Sequence, residues 1–329
     1  MAGALQAPAS AVVRHVPVLL DDVVDLLAPA LTHPGAVLVD GTLGLGGHAG
    51  ALLAAAPQAA LIGIDRDQAA LDAARENLHP YRDRVTTVRA RFDELASVLD
   101  ELSAPTVDAV LLDLGLSSLQ IDQTARGFAY AADAPLDMRM DDRQGLTAAT
   151  VVNTYDQAEL ARLFRRFGEE PHAARIAAAI VARRAQTPFE MSGELVAVIR
   201  DALPAAARYG GTRGHPAKRV FQALRIEVNQ ELEALGAVIP AGLARLAPGG
   251  RMAVLSYQSL EDRIVKQAFA AATQDQAPRH LPSVPASLRA RFVPLTRGAV
   301  RPDQAEIATN PRAASARLRA VARHQEVEP

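Results

Sequence analysis

At 329 residues, with 49% of them apolar, the chain is long enough for two domains or for one large domain carrying an insertion, and general disorder is excluded. A formal net charge of −2 singles out no class of partner, and with no cysteine there is no disulfide framework, thiolate metal site or cysteine nucleophile. The eight histidines show no paired helical spacing of the kind zinc uses, so no metal is expected.

Met1–Ser10 lacks a basic segment followed by an apolar one, so residues 1–12 are expected to be a loose tail and not a signal peptide. No run approaches the roughly 18 uninterrupted apolar residues of a membrane span, and the expected location is the cytoplasm. Short apolar runs then recur at Ala36–Val39, Ala60–Ile64, Val85–Val88 and Ala109–Leu112. Helical stretches at His48–Ala56, Gln68–Leu78 and Asp93–Leu102 lie between them, which predicts β-α-β-α repetition and a parallel sheet covered by helices. From Asp122 to Gly214 the strand rhythm stops, and Gln157–Phe167, His172–Ala185 and Ser192–Leu203 read as three helices, with Ser192 as the N-cap of the last. Tyr209–His215 is a polar, glycine-rich join. One long helix over 216–246, a Pro248-Gly-Gly250 turn and the strand Met252–Leu255 resume the α/β pattern. The division that follows is an α/β core over 13–124 and 215–329, interrupted by a helical insertion over 125–214.

The most informative segment is Asp40-Gly-Thr-Leu-Gly-Leu-Gly-Gly-His48. A buried strand that ends in an acid and drops into glycines lets a ligand lie against the backbone, with a helix N-terminus behind it. Gly44-x-Gly46-x-x-Ala49, with Asp65 further on, also satisfies the dinucleotide fingerprint, so an NAD-dependent dehydrogenase stays open on these residues alone. Asp40 leans the other way: a carboxylate there suits the ammonium of a methionine moiety and repels a pyrophosphate. Asp113, ending the fourth run, puts another acid on the same edge. The plainer readings are a turn acid for Asp40, an edge acid for Asp113, a helix-start residue for His48 and core filler for Phe92.

The ordered blocks are more specific than the loop. His15-Val-Pro-Val-Leu-Leu20, Asp40–His48, Gly63-Ile-Asp-Arg-Asp67, Asp113-Leu-Gly-Leu-Ser-Ser-Leu-Gln120, Arg126-Gly-Phe128 and Pro135-Leu-Asp-Met-Arg-Met-Asp141 come first. Phe167-Gly-Glu-Glu170, His215–Arg225, Ser259-Leu-Glu-Asp-Arg-Ile-Val-Lys266, Asn310-Pro-Arg312 and Leu318-Arg319 follow. In these the chain resembles the bacterial ribosomal RNA small-subunit methyltransferase H family, also known as MraW, from His15 to Arg319.

The resemblance implies a class I S-adenosylmethionine-dependent methyltransferase core, Rossmann-like with a mostly parallel sheet, interrupted by an all-helical domain that recognises substrate. It implies methyl transfer from S-adenosylmethionine to the exocyclic N4 of a cytidine in the decoding region of 16S rRNA, with the rRNA met within the small ribosomal subunit. Cofactor contacts carry over to Gly46, Gly47, His48, Asp65, Phe92, Asp113 and Gln120. Asp113, or a carbonyl beside it, is the candidate catalytic acceptor for the amine. A homodimer is compatible with this reading, and an RNA-binding assembly factor whose cofactor site only stabilises the fold is the alternative from another class. Two positions depart from the family: Gln258 stands in Ser256-Tyr-Gln-Ser259 where a histidine is usual, and Ala314 replaces an arginine.

Nine arginines and two acids lie between Arg279 and His324, a basic excess that suits phosphates or a solvated face. Candidate RNA contacts are Arg126, Arg139, Lys218, Arg219, Arg225, Arg312, Arg317 and Arg319.

Overall fold

The computed structural model describes residues 17–115, 127–128, 133–205, 215–277, 284–285 and 288–325. The proposed tail, Gln120 and Arg126 lie outside them, as does most of the glycine-rich join.

Each apolar run of the first half becomes a strand: β1 (Val37–Asp40), β2 (Ala60–Asp65), β3 (Val85–Arg89) and β4 (Val107–Asp113). Helices α1 (Leu20–Leu27), α2 (Gly47–Ala55), α3 (Gln68–Asn77) and α4 (Leu95–Glu101) lie before and between them. The helix expected over Asp93–Leu102 opens as a separate 3₁₀ turn, Phe92–Glu94. Asp67 starts α3 by accepting the Ala69 N–H at 3.0 Å, a cap that stabilises by about 1 kcal/mol.

The middle of the chain is helical: α5 (Ala148–Thr154), α6 (Gln157–Gly168), α7 (Ala173–Arg184) and α8 (Ser192–Ala202). The extra helix, α5, is too rich in β-branched residues to show in a periodicity reading, yet Thr147 caps it by accepting from Thr150 N at 3.0 Å. Asp156 and Glu159 bond each other's backbone N–H groups at the start of α6, a reciprocal capping box. Ser192 is not the N-cap expected of it. Met191 holds that position, and the Ser192 hydroxyl instead accepts from Ala134 N at 3.0 Å, tying α8 to the strand-like segment before α5.

The long helix expected over 216–246 is two helices, α9 (Lys218–Asn229) and α10 (Glu231–Arg245). Gln230 breaks them with a φ of +51°, a left-handed conformation that a non-glycine residue rarely takes. Then come β5 (Leu246–Ser256), α11 (Ser259–Ala272), β6 (Phe292–Pro294), α12 (Gln304–Thr309) and β7 (Arg317–Arg323).

Seven strands form one sheet in the order β3-β2-β1-β4-β5-β7-β6. The first five run parallel, and β7 lies antiparallel to both β5 and β6. Strand alternation sorts the apolar side chains onto two faces. Leu38, Leu61, Leu111 and Leu255 meet α1–α3 on one face; Val39, Ile62, Val110 and Val254 meet α4, α10 and α11 on the other. A third apolar cluster runs from Leu136 to Val228, so α9 packs with α5–α8 while α10 packs on the sheet.

Glycine sets the closest approach inside that cluster. A Cβ on Gly168, at the end of α6, would lie 2.4 Å from the Arg219 carbonyl oxygen of α9. Gly236, exposed on α10, has open space around its Cβ position. Gly168→Ala is therefore expected to destabilise by about 1–3 kcal/mol, whereas Gly236→Ala should stabilise by about 0.5–1 kcal/mol. Urea unfolding of the two variants, compared with the parent, checks the sign of each.

Candidate functional site at the carboxyl edge of the sheet

The strand order reverses between β1 and β4, and ligands of open α/β sheets bind in the crevice at that point. Three acids end the strands there: Asp40, Asp65 and Asp113. Backbone amides hold all three. Asp40, 2% exposed, accepts the Thr42 N–H at 3.0 Å and the Thr42 hydroxyl at 3.4 Å. Asp65 accepts from Gly44 N through one oxygen and from Asp67 N through the other, each at 2.9 Å. Asp113 accepts from Gly115 N at 3.3 Å.

Thr42 joins two of these strand ends. Its hydroxyl donates toward Asp40 and accepts the Asp113 N–H at 2.6 Å. The neighbouring Gly41 N donates to the Leu111 carbonyl at 2.9 Å, and a Cβ on Gly41 would come 2.6 Å from Leu112 Cδ2. The loop then turns at Gly44 and Gly46, with φ of +53° and +76°, the second being the N-cap residue of α2. Gly47 has no room for a side chain, because a Cβ there would lie 2.6 Å from Pro17 Cγ. The loop is thus a bare backbone cradle, with the positive end of α2 behind it.

His48 and Asp113 face one another, with Nδ1 3.6 Å from Oδ2. The other ring nitrogen, Nε2, donates to the Val18 carbonyl at 2.9 Å. From the far side Tyr257, just beyond β5, reaches the same carboxylate. Burial and then the Asp113 charge push its phenol pKa up, so it stays protonated and available as a donor. A Cβ on Gly115 would lie 3.0 Å from Tyr257 Cε2, so this glycine lets the ring sit against Asp113.

Glu261 fixes the loop that carries Tyr257. Its carboxylate, 3% exposed, accepts from Tyr257 N at 2.8 Å and Gln258 N at 3.0 Å. Burial pushes its pKa up to about 7 despite the pull of Arg225. Thr42, Tyr257 and Glu261 went unrecognised in the sequence reading; the available signal was that each lies next to a strand end on the edge bearing Asp113.

The other predicted residues are spread out. Phe92 opens the 3₁₀ turn after β3 and packs half-buried against the sheet, its Cβ 3.5 Å from where a Gly41 Cβ would be. Lys218 and Arg219 are exposed at the start of α9, and Arg312 is exposed after α12. Arg139 is bound to Asp137 through two nitrogens, at 2.8 and 2.7 Å. Arg225 points inward and forms a bidentate pair with Glu231, both contacts 2.8 Å. Arg317 and Arg319 both reach Asp262, the closest contact 2.7 Å.

The strand order, the antiparallel outer strand and the acids at the strand ends define a Rossmann-like class I methyltransferase. The chain belongs to the MraW methylase family, whose sequence model matches residues 12–324. It is similar to proteins named ribosomal RNA small subunit methyltransferase H. The one from Mycolicibacterium gilvum is 57% identical over 324 residues, covering 97% of this chain and 87% of its own. Those from Streptomyces avermitilis and Saccharopolyspora erythraea are each 57% identical over 313 residues, covering 95% of this chain and 98% and 94% of theirs. No helix among the described residues is long and apolar enough to cross a membrane.

Burial, aggravated by Asp113 and Asp65, pushes the Asp40 pKa up to about 7 against the lowering effect of the Thr42 N–H. An unfolded Asp titrates near 3.9. Between those values the folded chain binds the extra proton, so the contribution of Asp40 to stability falls as pH rises through that window. In Asp40→Asn this loss is absent, and the variant should gain stability relative to the parent between about pH 4 and 7. Urea midpoints measured across that range check it; a constant difference between the two proteins would refute the assignment.

Proposed function

We propose that the chain transfers a methyl group from S-adenosylmethionine to the exocyclic N4 of a cytidine in the decoding region of 16S rRNA, acting in the cytoplasm on the small ribosomal subunit or its rRNA. The observation that carries this reading is the meeting of Asp113, Tyr257 and His48 beside a bare glycine cradle, in a chain of a methylase family.

The residues present suit this cofactor. The Gly46–Gly47 backbone admits the methionine end without a side chain in the way, and the Asp40 carboxylate matches its ammonium. Asp65 keeps unused lone pairs for ribose hydroxyls after accepting two amides. Phe92 offers a flat apolar face for adenine. Three carboxylates on one edge favour a cationic ligand and oppose a pyrophosphate, which separates this reading from a dehydrogenase with the same loop. S-adenosylmethionine, when bound, supplies an electrophilic methyl on a sulfonium.

A cytosine amine is a poor nucleophile because its lone pair is delocalised into the ring. Asp113 is assigned to accept one N–H of that amine, so that nitrogen density is held toward the methyl donor. Gly115 N and Tyr257 hold the carboxylate still, and Thr42 holds the backbone behind it. Orientation supplies most of the gain, and the fixed charge adds to it. The base must leave its stack to reach the edge. The helical unit is assigned to bind the surrounding RNA, with the exposed Lys218 and Arg219 as contacts.

Two measurements test this. Calorimetric titration should show S-adenosylhomocysteine binding and NAD not binding. Nucleoside mass spectrometry of small-subunit rRNA from a deletion strain should lack N4-methylcytidine, restored by the parent gene. Asp113→Asn should lower kcat by about 10²-fold or more at saturating cofactor, and wild-type turnover in that variant would remove the role. Particle binding without turnover by the parent would point to an assembly factor instead.

A further inference from the structure

Outside the catalytic edge, a cleft of about 160 Å³ opens between α11 and the outer strands. Lys266, Phe269, Thr273, Pro294, Thr296 and Arg319 are among the residues that line it. The floor is apolar, since Phe269 and Val321 are buried, and the rim is cationic. Lys266, which lines the cleft, and Arg297, between the lining residues Thr296 and Gly298, are both exposed, and among the described residues neither head group has an ion pair or hydrogen bond. Arg317 and Arg319 share the single carboxylate of Asp262. Burial would push that acid's pKa up, yet the Arg319 hydrogen bond holds it below the usual range, so it remains charged.

The segment carrying Arg297 is fixed. Leu295 N donates to the Ala320 carbonyl at 2.9 Å, Ala320 N donates to the Thr296 hydroxyl at 3.3 Å, and Val300 and Leu318 exchange backbone bonds at 2.9 Å. The cleft also continues from the catalytic edge. Arg317 pairs with Ser256, the residue before Tyr257, and Val321 pairs with Met252 further along β5. At roughly 3.3 Å per residue, Arg319, paired with Val254, puts the start of the cleft about 7 Å from the strand end at Ser256, within reach of the nucleotides beside the target.

We propose that the α11–β7 cleft is a docking track for the sugar-phosphate backbone flanking the methylated base, with Lys266 and Arg297 contacting phosphates. This rests on the RNA reading above. Asp262 spends the charge of Arg317 and Arg319 on holding β7 against α11, and the unpaired Lys266 and Arg297 face the polymer. The specificity remains at the catalytic edge, because phosphate contacts position RNA without reading sequence.

The test compares the parent with Lys266→Ala/Arg297→Ala and with a control, Arg75→Ala/Arg82→Ala, which removes the same charge near the β3 edge of the sheet. Unmethylated small-subunit particles are the probe, and affinity is measured across a salt series. The first double variant should lose about 10-fold or more in affinity at low salt, with the logarithmic salt slope reduced by about 0.7–0.9 for each phosphate contact removed. Its kcat at saturating particle and its S-adenosylhomocysteine affinity should match the parent. A slope equal to the control's, with methylation intact in the parent, overturns this track alone; a parent that methylates no particle removes the function reading and this inference with it. Inorganic phosphate added at constant ionic strength should compete no better than chloride. Phosphate-specific competition that vanishes in the variant would mark a free-anion site and overturn the assignment.

Discussion

Three carboxylates are held at one end of a parallel sheet, two strands apart at most, and the rest of the site depends on how their burial is compensated. Acids withdrawn from water without partners are costly, so the buried Asp40 and the half-buried Asp65 and Asp113 are each met by backbone N–H groups of their own turn or loop. Those bonds also shape the loop. Asp65 cannot accept from Gly44 unless the chain turns back across β2, and that turn brings Gly46 and Gly47 to the start of α2. The acids therefore create the cradle they border. In the proposed function a cationic ligand would complete the compensation that the amides begin, and the raised pKa of Asp40 would then belong to binding as much as to the fold.

The fold's first half was legible because β1, β2 and β4 are short, mostly apolar runs that each end in an acid, with helical stretches between them and β3. The glycine loop was legible for the same reason: five glycines after Asp40 mark a tight turn of bare backbone leading into a helix. What stayed hidden was long-range. Asp113 and Tyr257 meet only because Asp113 pairs with Leu255 across the β4–β5 register, and no local spacing encodes that pairing. The outer strand β7 alternates arginines with apolar residues, and its arginines read as surface charge until Asp262 of α11 is placed over them.

Arg225 shows the same limit from the side of energetics. In sequence it is one more cation in a block of basic residues; in the fold it is buried against Glu231, across a helix break that only the left-handed Gln230 reveals. Glutamine gives no warning of that conformation, as glycine would. The break is held from outside. Asn229 accepts from Met140 N at 2.9 Å and donates to the Met138 and Arg225 carbonyls at 2.8 and 2.9 Å, so tertiary bonds offset the strain of the residue that follows.

That elbow is where the helical unit meets the chemistry. α9 packs with the helices, α10 packs on the sheet, and the Arg225–Glu231 pair spans the joint. Glu261 feels both charges and holds the Tyr257–Gln258 backbone through its Oε2, which accepts both N–H groups. A buried ion pair is a poor device for stability, because desolvation offsets most of its attraction. Its directional bonds do something an apolar contact of the same size would not: they fix the joint's angle relative to the loop that faces Asp113. The position of the helices is thereby passed, through one arginine and two glutamates, to the tyrosine that reaches Asp113. Replacing the network with well-packed apolar side chains would keep the fold and lose that registration, which accounts for three charged residues being buried where hydrophobic ones would fit.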